Sequence, residues 1–325
     1  MALWIIGALF LLTKGADWLV NQAVALSTRS GIPKVVIGAP IVSLGTTAPE
    51  AAVSVLAAVQ GNPGLALGNA VGSVICDTGL ILGLAALIAP LKLDRRIVNR
   101  QGWIQFGAGI LLVAACIPWS DPGAAFRTGG RLPQWAGFVF LGLLAAYLYA
   151  SVKWTRQAGT VLPEELRSDV GKSIAVILVK LVAALVIVVV SARLLIPAVK
   201  EAALRLDVPQ SVIAATLVAF GTSLPELVTA LTAAVKRHGE LAIGNVVGAD
   251  ILNVLFVSGA AAAVTGGGLV ATTHFFRLLF PAMLGVLFIF RAGIFLSGDH
   301  MRRGFGIVLL AVYGLVTVLS YVFPE

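Results

Sequence analysis

Two short segments of the chain place a carboxylate, hydroxyls and a proline within apolar sequence: GTTAPE at residues 45–50 and GTSLPE at residues 221–226. A glutamate deep in a bilayer is costly unless it is protonated, paired or bound to a cation. Both segments offer oxygen atoms and neither offers His or Cys, so they favour calcium, sodium or magnesium over zinc or copper. The candidate ligands are Glu50, Glu226, Thr46, Thr47, Thr222 and Ser223.

The proline in each segment predicts a break in the surrounding helix. Proline lacks the backbone donor of an α-helix and displaces the carbonyl one turn earlier. Carbonyls freed near Gly45–Pro49 and Gly221–Pro225 would add further oxygen ligands. Irregular backbone at membrane depth is tolerated only where it is buried or lines a wet cavity. Each break is therefore expected to lie at an ion site.

A second layer of polar residues follows each segment. Ser73 and Asp77 are four residues apart and share a helix face, and Ala249 and Asn253 occupy the matching positions of the second half. One half offers a hydroxyl and a carboxylate, whereas the other offers a methyl and an amide. We therefore expect the cation sites to be asymmetric. Asp250, beside this layer, is consistent either with an access path or with a pairing role.

Two further features of these helices concern packing and support. Asn69 and Asn245, each preceded by glycine, would either hydrogen-bond the broken helices or contribute carbonyl oxygens, and the sequence leaves both roles open. Small residues spaced four apart favour close contact between transmembrane helices. The glycines with this spacing are Gly68, Gly72, Gly244 and Gly248.

The composition is that of a membrane protein. Of 325 residues, 59% are hydrophobic and 12% are charged, and the mean hydropathy is +0.99. Such a chain lacks the polar surface of a soluble domain. Ten apolar segments are each long enough to cross about 30 Å of hydrocarbon. They are residues 2–28, 34–59, 65–90, 102–118, 134–152, 173–199, 209–235, 241–264, 273–291 and 304–322.

The basic residues are distributed unevenly among the loops. A net charge of +8 suggests a nucleic-acid partner, but most Lys and Arg residues lie in short connections between apolar segments, which argues against one. The loops after the first, third, fifth, seventh and ninth segments contain fifteen of them, including Arg291, and the opposite loops contain four. By the positive-inside rule the first set is cytoplasmic, so both termini are extracytoplasmic. We expect a plasma-membrane location.

The sequence repeats itself. A shift of 176 residues lays Pro33–Ala85 on Pro209–Ala261 with 21 of 53 positions identical. Residues 1–152 and 173–325 form two halves of five segments each, joined by a polar cytoplasmic linker at 153–172. Because five is odd, the second half enters the membrane in the opposite orientation. Inverted repeats of this kind indicate a secondary transporter whose ion site lies at the repeat interface near the middle of the membrane.

The repeated segments resemble a known family. Residues 45–83 read GTTAPEAAVSVLAAVQGNPGLALGNAVGSVICDTGLILG, and residues 221–259 read GTSLPELVTALTAAVKRHGELAIGNVVGADILNVLFVSG. They are similar to the paired alpha repeats of the calcium/cation antiporter superfamily, most closely those of prokaryotic sodium/calcium exchangers. The alpha regions would cover about 33–85 and 209–261. The resemblance implies an all-α integral membrane protein of about ten transmembrane helices, arranged as two inverted five-helix repeats.

The same resemblance implies exchange of calcium for sodium by alternating access. The calcium site would use Glu50 and Glu226 with the carbonyls of Thr46 and Thr222. The sodium sites would draw on Thr47, Ser73, Ser223, Asp77 and Asn253. No cofactor is implied, and the expected partners are the two ions and the lipid bilayer. The oligomeric state stays open, although a monomer is consistent with the likeness.

The chain departs from the family pattern in its second layer. Ala249 stands where a serine is common, and the carboxylate is Asp77 in the first repeat, although the family places it at the position of Asn253 in the second. These departures leave the coupling ion open. A calcium/proton or a potassium-dependent sodium/calcium antiporter is therefore the alternative. An enzyme is not expected, because the sequence has neither a His-containing zinc motif nor an Asp-rich magnesium cluster.

Overall fold

The computed structural model describes residues 2–157, 173–205 and 221–322. Most of the linker expected at 153–172 and the start of the second alpha region, 209–220, lie outside the described residues.

Helices make up nearly all of the described first half. The α-helices are α1 Ala2–Ser30, α2 Lys34–Val36, α3 Ser43–Thr46, α4 Ala48–Val59, α5 Pro63–Ile75, α6 Leu82–Ile88, α7 Arg95–Cys116 and α8 Gln134–Gln157. Two π-helical turns join α2 to α3 and α5 to α6, at Ile37–Val42 and Cys76–Ile81. A 3-10 helix covers Pro122–Phe126, and the short strands are β1 Leu91–Lys92 and β2 Gly130–Leu132.

The described second half has the same organisation. Its α-helices are α9 Ile174–Arg205, α10 Leu224–Val235, α11 Gly239–Leu252, α12 Gly259–Ala263, α13 Phe280–Leu296 and α14 Arg303–Val322. The π-helical turns are Asn253–Ser258, between α11 and α12, and Phe275–Leu279, before α13. The strands are β3 Leu269–Ala271 and β4 His300–Met301.

Six helices of the described part are long and apolar enough to cross a membrane, and a seventh is obtained when the bent pair Lys34–Thr46 and Ala48–Val59 is taken as one span. Helices α1 and α7 are also long, at 29 and 22 residues. The spans α5–α6 and α11–α12 are 72% and 83% buried, against 28% for α9 and 17% for α14. The two second-layer helices therefore form the centre of the bundle.

The repeat seen in the sequence is visible in the helix boundaries. Both ends of α10 lie 176 residues after those of α4, and α11 begins 176 residues after α5. Two antiparallel ribbons follow the same rule, since β1 pairs with β4 and β3 pairs with β2. In each ribbon a strand after the third span of one half pairs with a strand before the last span of the other. These ribbons are the β-structure that the all-α prediction did not include.

The glycines of the second repeat allow close helix contact. Helix α11 packs against α2 and the π-helical turn that follows it. A Cβ atom on Gly244 would lie 2.9 Å from the Cα of Val35, and one on Gly248 would collide with the Ala39 backbone. The close-packing interpretation is confirmed for this glycine pair, because any larger residue would push the two helices apart. It was wrong for the matching pair of the first repeat, where an added Cβ would meet no atom closer than 3.8 Å.

Arg291 corrects one detail of the loop assignment. It lies inside α13, more than a turn before the helix ends at Leu296, and is only 3% exposed. Its Nη2 atom donates to Asn99 Oδ1 at 2.5 Å, and its guanidinium stacks 4.5 Å from the Trp103 ring centroid. The prediction that Arg291 belongs to a loop was wrong. The amide of Asn99 binds the guanidinium and the face of the Trp103 ring covers it, so the charged side chain can be buried within a helix.

Candidate cation site

The predicted helix breaks are present in both repeats. Helix α3 ends at Thr46 and α4 begins at Ala48, with a bend of 42° between them. In the second repeat, Ser223 interrupts the helical backbone immediately before α10. The prolines occupy the first turns of α4 and α10, where their missing N–H costs nothing. Each break thus begins a new helix that has a glutamate in its first turn.

Glu50 and Glu226 face a common interior. Each is 1% exposed, and the Thr47 hydroxyl donates to Glu226 Oε1 at 3.2 Å, so the broken segments of the two repeats meet directly. Both carboxylate oxygens of Glu50 and the second oxygen of Glu226 are buried without a hydrogen-bond partner among the described residues. Carboxylate oxygens can only accept, so these three atoms require a cation or a proton.

Thr46 and Thr222 occupy matching positions immediately before the two helix breaks, but their hydroxyl groups make different contacts. Thr46 is fully buried, and its hydroxyl donates to the Ser43 carbonyl at 3.2 Å and, more weakly, to the Val42 carbonyl at 3.4 Å. That hydroxyl uses its one hydrogen within its own helix, and its oxygen keeps acceptor lone pairs that a cation could use. The Thr222 hydroxyl points instead to the other repeat, where it donates to Asn69 Oδ1 at 3.4 Å.

Asn69 supports the broken helix of its own repeat. Its Nδ2 atom donates to Ser54 Oγ at 2.9 Å and to the Glu50 carbonyl at 3.4 Å. With the Thr222 contact, this favours the hydrogen-bonding role over the ligand role. Asn245 differs, because neither polar atom of its fully buried side chain has a partner in the described part of the chain.

The second layer brings Asp77 and Asn253 together. Asn253 Nδ2 donates to Asp77 Oδ2 at 3.3 Å, which leaves Asp77 Oδ1 and Asn253 Oδ1 buried and unpartnered among the described residues. The hydroxyls of Ser73 and Ser223 are likewise buried and unpartnered there, and Ser223 lies beside Asp77. The Ala249 methyl group at the position matching Ser73 is fully buried.

Each second-layer helix widens at this level. The π-helical turn Cys76–Ile81 contains Asp77, and the turn Asn253–Ser258 begins at Asn253. A π-turn is rare, and it often occurs at functional sites because it redirects side chains and loosens the carbonyl ladder. Sequence reasoning missed both turns, since hydrophobic periodicity does not distinguish a π-turn from an α-helical turn.

A third polar cluster was only partly foreseen. Thr78 Oγ1 donates to Asp250 Oδ2, and Gln105 Nε2 donates to the same oxygen at 2.5 Å and to Thr78 Oγ1 at 3.2 Å. All three residues are buried. Asp250 is thus hydrogen-bonded to neutral groups, and none of the ion pairs among the described residues involves it. Gln105 was missed, although a glutamine within an apolar segment was the available signal.

The four buried carboxyl groups influence one another. Glu226 and Asp77 both act electrostatically on Glu50, and Asp250 acts on Asp77 more strongly than Glu226 does. In the described residues, no three His, Cys, Asp or Glu side chains are close enough together to form a metal site alone. A cation here must therefore also bind hydroxyl, amide or main-chain oxygens, which suits calcium and sodium.

Sequence comparison decides the family. The chain matches the profile of the sodium/calcium exchanger protein family over residues 1–153 and 176–322. The chain belongs to this family. One sodium/calcium exchanger relative, MaX1 of Methanosarcina acetivorans, is 29% identical over 98% of this chain and 97% of its own length. The uncharacterized membrane protein MJ0091 of Methanocaldococcus jannaschii is 34% identical over 94% and 93%.

Structural comparison agrees with this assignment. A solved structure of the sodium-calcium exchanger NCX_Mj, soaked with sodium and without calcium, superposes with a TM-score of 0.80 at 29% identity and covers all of both chains. The predicted fold class, about ten transmembrane helices in two inverted five-helix repeats, is confirmed by this likeness. The chain is an all-α, multi-pass membrane protein, and its described part also contains the two short ribbons.

Proposed function

We propose that the chain is a secondary antiporter that exchanges calcium for sodium across the membrane by alternating access. The observation that carries this proposal is the meeting of Glu50 and Glu226, one from each repeat, with three unpartnered carboxylate oxygens among the described residues. Two buried negative charges match one divalent cation. Family membership supports the same function.

The buried charges also explain why transport would be coupled. A state with empty, ionised carboxylates in the membrane interior is costly, whereas calcium-loaded or sodium-loaded states are neutralised. Ligands shift a conformational equilibrium only by binding its states differently. The loaded states therefore cross between the two access states more readily than the empty one, so that calcium moves one way as sodium moves the other.

The ligand roles in this proposal are those that the resemblance to sodium/calcium exchangers implies. Calcium binds between Glu50 and Glu226, with the Thr46 and Thr222 carbonyls completing its coordination. Sodium ions use a wider set that includes the second layer. That set is Thr47, Ser73, Ser223, Asp77 and Asn253.

The surroundings of the transporter belong to the same proposal. The chain works in a plasma membrane with both termini outside, because Lys and Arg are concentrated in the loops on the other side. Its halves are residues 1–152 and 173–325, joined by the cytoplasmic linker 153–172. It is not an enzyme, needs no cofactor and works in contact with lipid, and its oligomeric state stays open.

Calcium uptake into proteoliposomes tests the proposal. Vesicles are loaded with sodium, potassium or an acidic buffer, and radioactive calcium is added outside with the external pH clamped. We expect uptake only with the outward sodium gradient, and a sodium ionophore that collapses the gradient should abolish it. Uptake that is equal under all three loadings would overturn antiport.

Proton coupling or a potassium requirement is the second candidate. The observation that favours it is the extra carboxylate of Asp250 close to Asp77, beyond the pair needed for calcium. Uptake driven by the acidic interior without sodium would establish proton coupling. A sodium-driven uptake that also needs potassium outside, on the calcium side, would establish the potassium-dependent form.

A further inference from the structure

Asp250 is a buried carboxylate outside the calcium-binding pair. It is 1% exposed, and its Oδ2 atom accepts hydrogen bonds from two neutral groups, Thr78 Oγ1 and Gln105 Nε2. None of the ion pairs in the described part of the chain involves it. Neutral donors orient a carboxylate but do not cancel its charge. The remaining charge must be balanced in another way.

The unpartnered atoms around Asp250 are acceptors. They are Asp250 Oδ1, Gln105 Oε1, Asp77 Oδ1 and Asn253 Oδ1, all buried and without a partner among the described residues. Gln105 uses its only donor group, the amide nitrogen, on Asp250 and Thr78, so its carbonyl oxygen has no role in that network. Within the network of Asp250, Thr78 and Gln105, every side-chain donor is used and two acceptors, Asp250 Oδ1 and Gln105 Oε1, are left over. Such a network is suited to a cation.

We infer that Asp250, Gln105 and the adjoining face of Asp77 form an additional cation site, separate from the Glu50 and Glu226 pair, which takes a monovalent hard cation such as sodium or potassium. The ligands are oxygens throughout, which excludes soft metals. Asp250 is the one carboxylate of the site that the calcium and sodium sites do not use. A single added charge matches a monovalent ion better than calcium, which prefers several carboxylates.

The site has no counterpart in the other repeat. The position matching Asp250 is Val74, which is fully buried among apolar residues. Gln105 belongs to α7, a helix outside the two repeated segments. The additional ion would therefore lie on one side of the pseudo-two-fold axis. Its positive charge would balance the negative charge that Asp250 adds on that side.

Ion-dependent thermal unfolding of the purified full-length chain tests the inference without any transport assay. The background is the double variant E50Q/E226Q, in which the calcium-binding carboxylates are uncharged. Unfolding is followed at pH 8 in sodium, potassium or N-methylglucamine chloride at equal ionic strength. We expect sodium or potassium to raise Tm by about 3 °C over N-methylglucamine. Asp250→Asn should reduce that rise by at least half, and what is left belongs to sodium bound at the Asp77 layer.

Further variants separate this site from its neighbours. Asp299→Asn, an exposed aspartate in the loop after α13, should keep the full rise. Gln105→Met should keep Asp250 but weaken the ion's apparent affinity by about tenfold, the loss of one good ligand. This variant provides the test if Asp250→Asn does not fold. A rise with sodium only or with potassium only identifies the ion.

Two results would overturn the inference. The first is a rise that keeps more than half of its size in Asp250→Asn but disappears with Asp77→Asn, since the ion would then belong to the second layer alone. The second is the same Tm in all three salts, which would make Asp250 a neutral, protonated structural group. Neither result bears on calcium exchange, so failure here is distinguishable from failure of the proposed function.

Discussion

The two repeats share their backbone and differ in their charges. The helices that follow the two breaks, α4 and α10, begin and end at matching residues, and each second-layer helix contains a π-helical turn at the same level. The side chains that enter the shared interior are not matched: Asp77 faces Asn253, and Asp250 replaces Val74. Symmetry therefore supplies the cavity and its hinges, while asymmetry decides which ion binds where.

Electrostatics explains why the second layer is not symmetric. Asn253 and Asp77 occupy matching positions of the two repeats, and Asn253 Nδ2 lies 3.3 Å from Asp77 Oδ2. Two carboxylates at that distance would repel and one would be protonated, as in other paired carboxylates. A carboxylate opposite an amide forms a hydrogen bond and keeps one full charge for a cation. Either repeat could supply the carboxylate, and in this chain it is the first.

The largest effect is expected where the repeats are alike. Glu50→Gln or Glu226→Gln keeps the shape of the side chain and removes one of two charges around calcium. We expect calcium transport to fall by about 100-fold or more in either variant, since one lost buried charge contact is worth about 3 kcal/mol. The measurement is sodium-driven calcium uptake in proteoliposomes, with the amount of inserted protein determined for each variant.

Glu240→Gln is the matched control for this pair. Glu240 lies at the start of α11 in an ion pair with Lys92 at 3.4 Å, and its side chain is 23% exposed. A surface ion pair contributes little, so uptake should be close to that of the unmodified chain. If calcium transport persists in both Glu50→Gln and Glu226→Gln, the matching glutamates of the two repeats are not the calcium ligands.

An intermediate effect is expected in the second layer, where one repeat has the carboxylate of Asp77 and the other has the amide of Asn253. Asp77→Asn removes the second-layer charge and should reduce sodium-driven uptake by about 30-fold, corresponding to about 2 kcal/mol. Adding Asn253→Asp places the carboxylate in the other repeat, opposite an amide as before. We expect the double variant to recover to within about fivefold of the unmodified chain, because the pair keeps its charge and its hydrogen bond.

The single variant Asn253→Asp is the control for the exchange. It should impair uptake, because two carboxylates then face each other at hydrogen-bond distance. If the double variant is no better than Asp77→Asn alone, the second layer depends on which repeat carries the charge. Asp77 would then make a contact that an aspartate at position 253 cannot make. Ser223, which lies beside Asp77, would be the first residue to substitute.

The parts of the site that repeat could be predicted from sequence, and the parts that connect different helices could not. The breaks at Thr47 and Ser223 follow from Gly, Pro and hydroxyl residues that act within one segment. The hydrogen bond from Gln105 to Asp250 joins α7 to α11, and no pattern along either helix specifies it. For the same reason the sequence could not choose between the two roles left open for Asn69 and Asn245.

Boundaries near the membrane surface were harder still. Arg291 was assigned to a loop because charged residues usually end an apolar segment. The helix continues past it because Asn99 and Trp103, on a neighbouring helix, surround the guanidinium. Tertiary contacts of this kind set where a span ends, whereas composition sets only that a span exists.

The smallest effect is expected from restoring symmetry at a neutral position. Ala249→Ser adds a hydroxyl where the first repeat has Ser73, at a fully buried site one helical turn before Asn253. A new oxygen ligand there should lower the sodium concentration for half-maximal uptake by about two- to fivefold, the worth of one modest polar contact. Calcium affinity should change less, since Glu50 and Glu226 are untouched. Ala249→Cys is similar in size to Ala249→Ser but adds a poor sodium ligand, so it should leave the sodium dependence of uptake unchanged. Equal shifts in both variants would mean that side-chain volume, and not a new ligand, makes the difference between the repeats at this position.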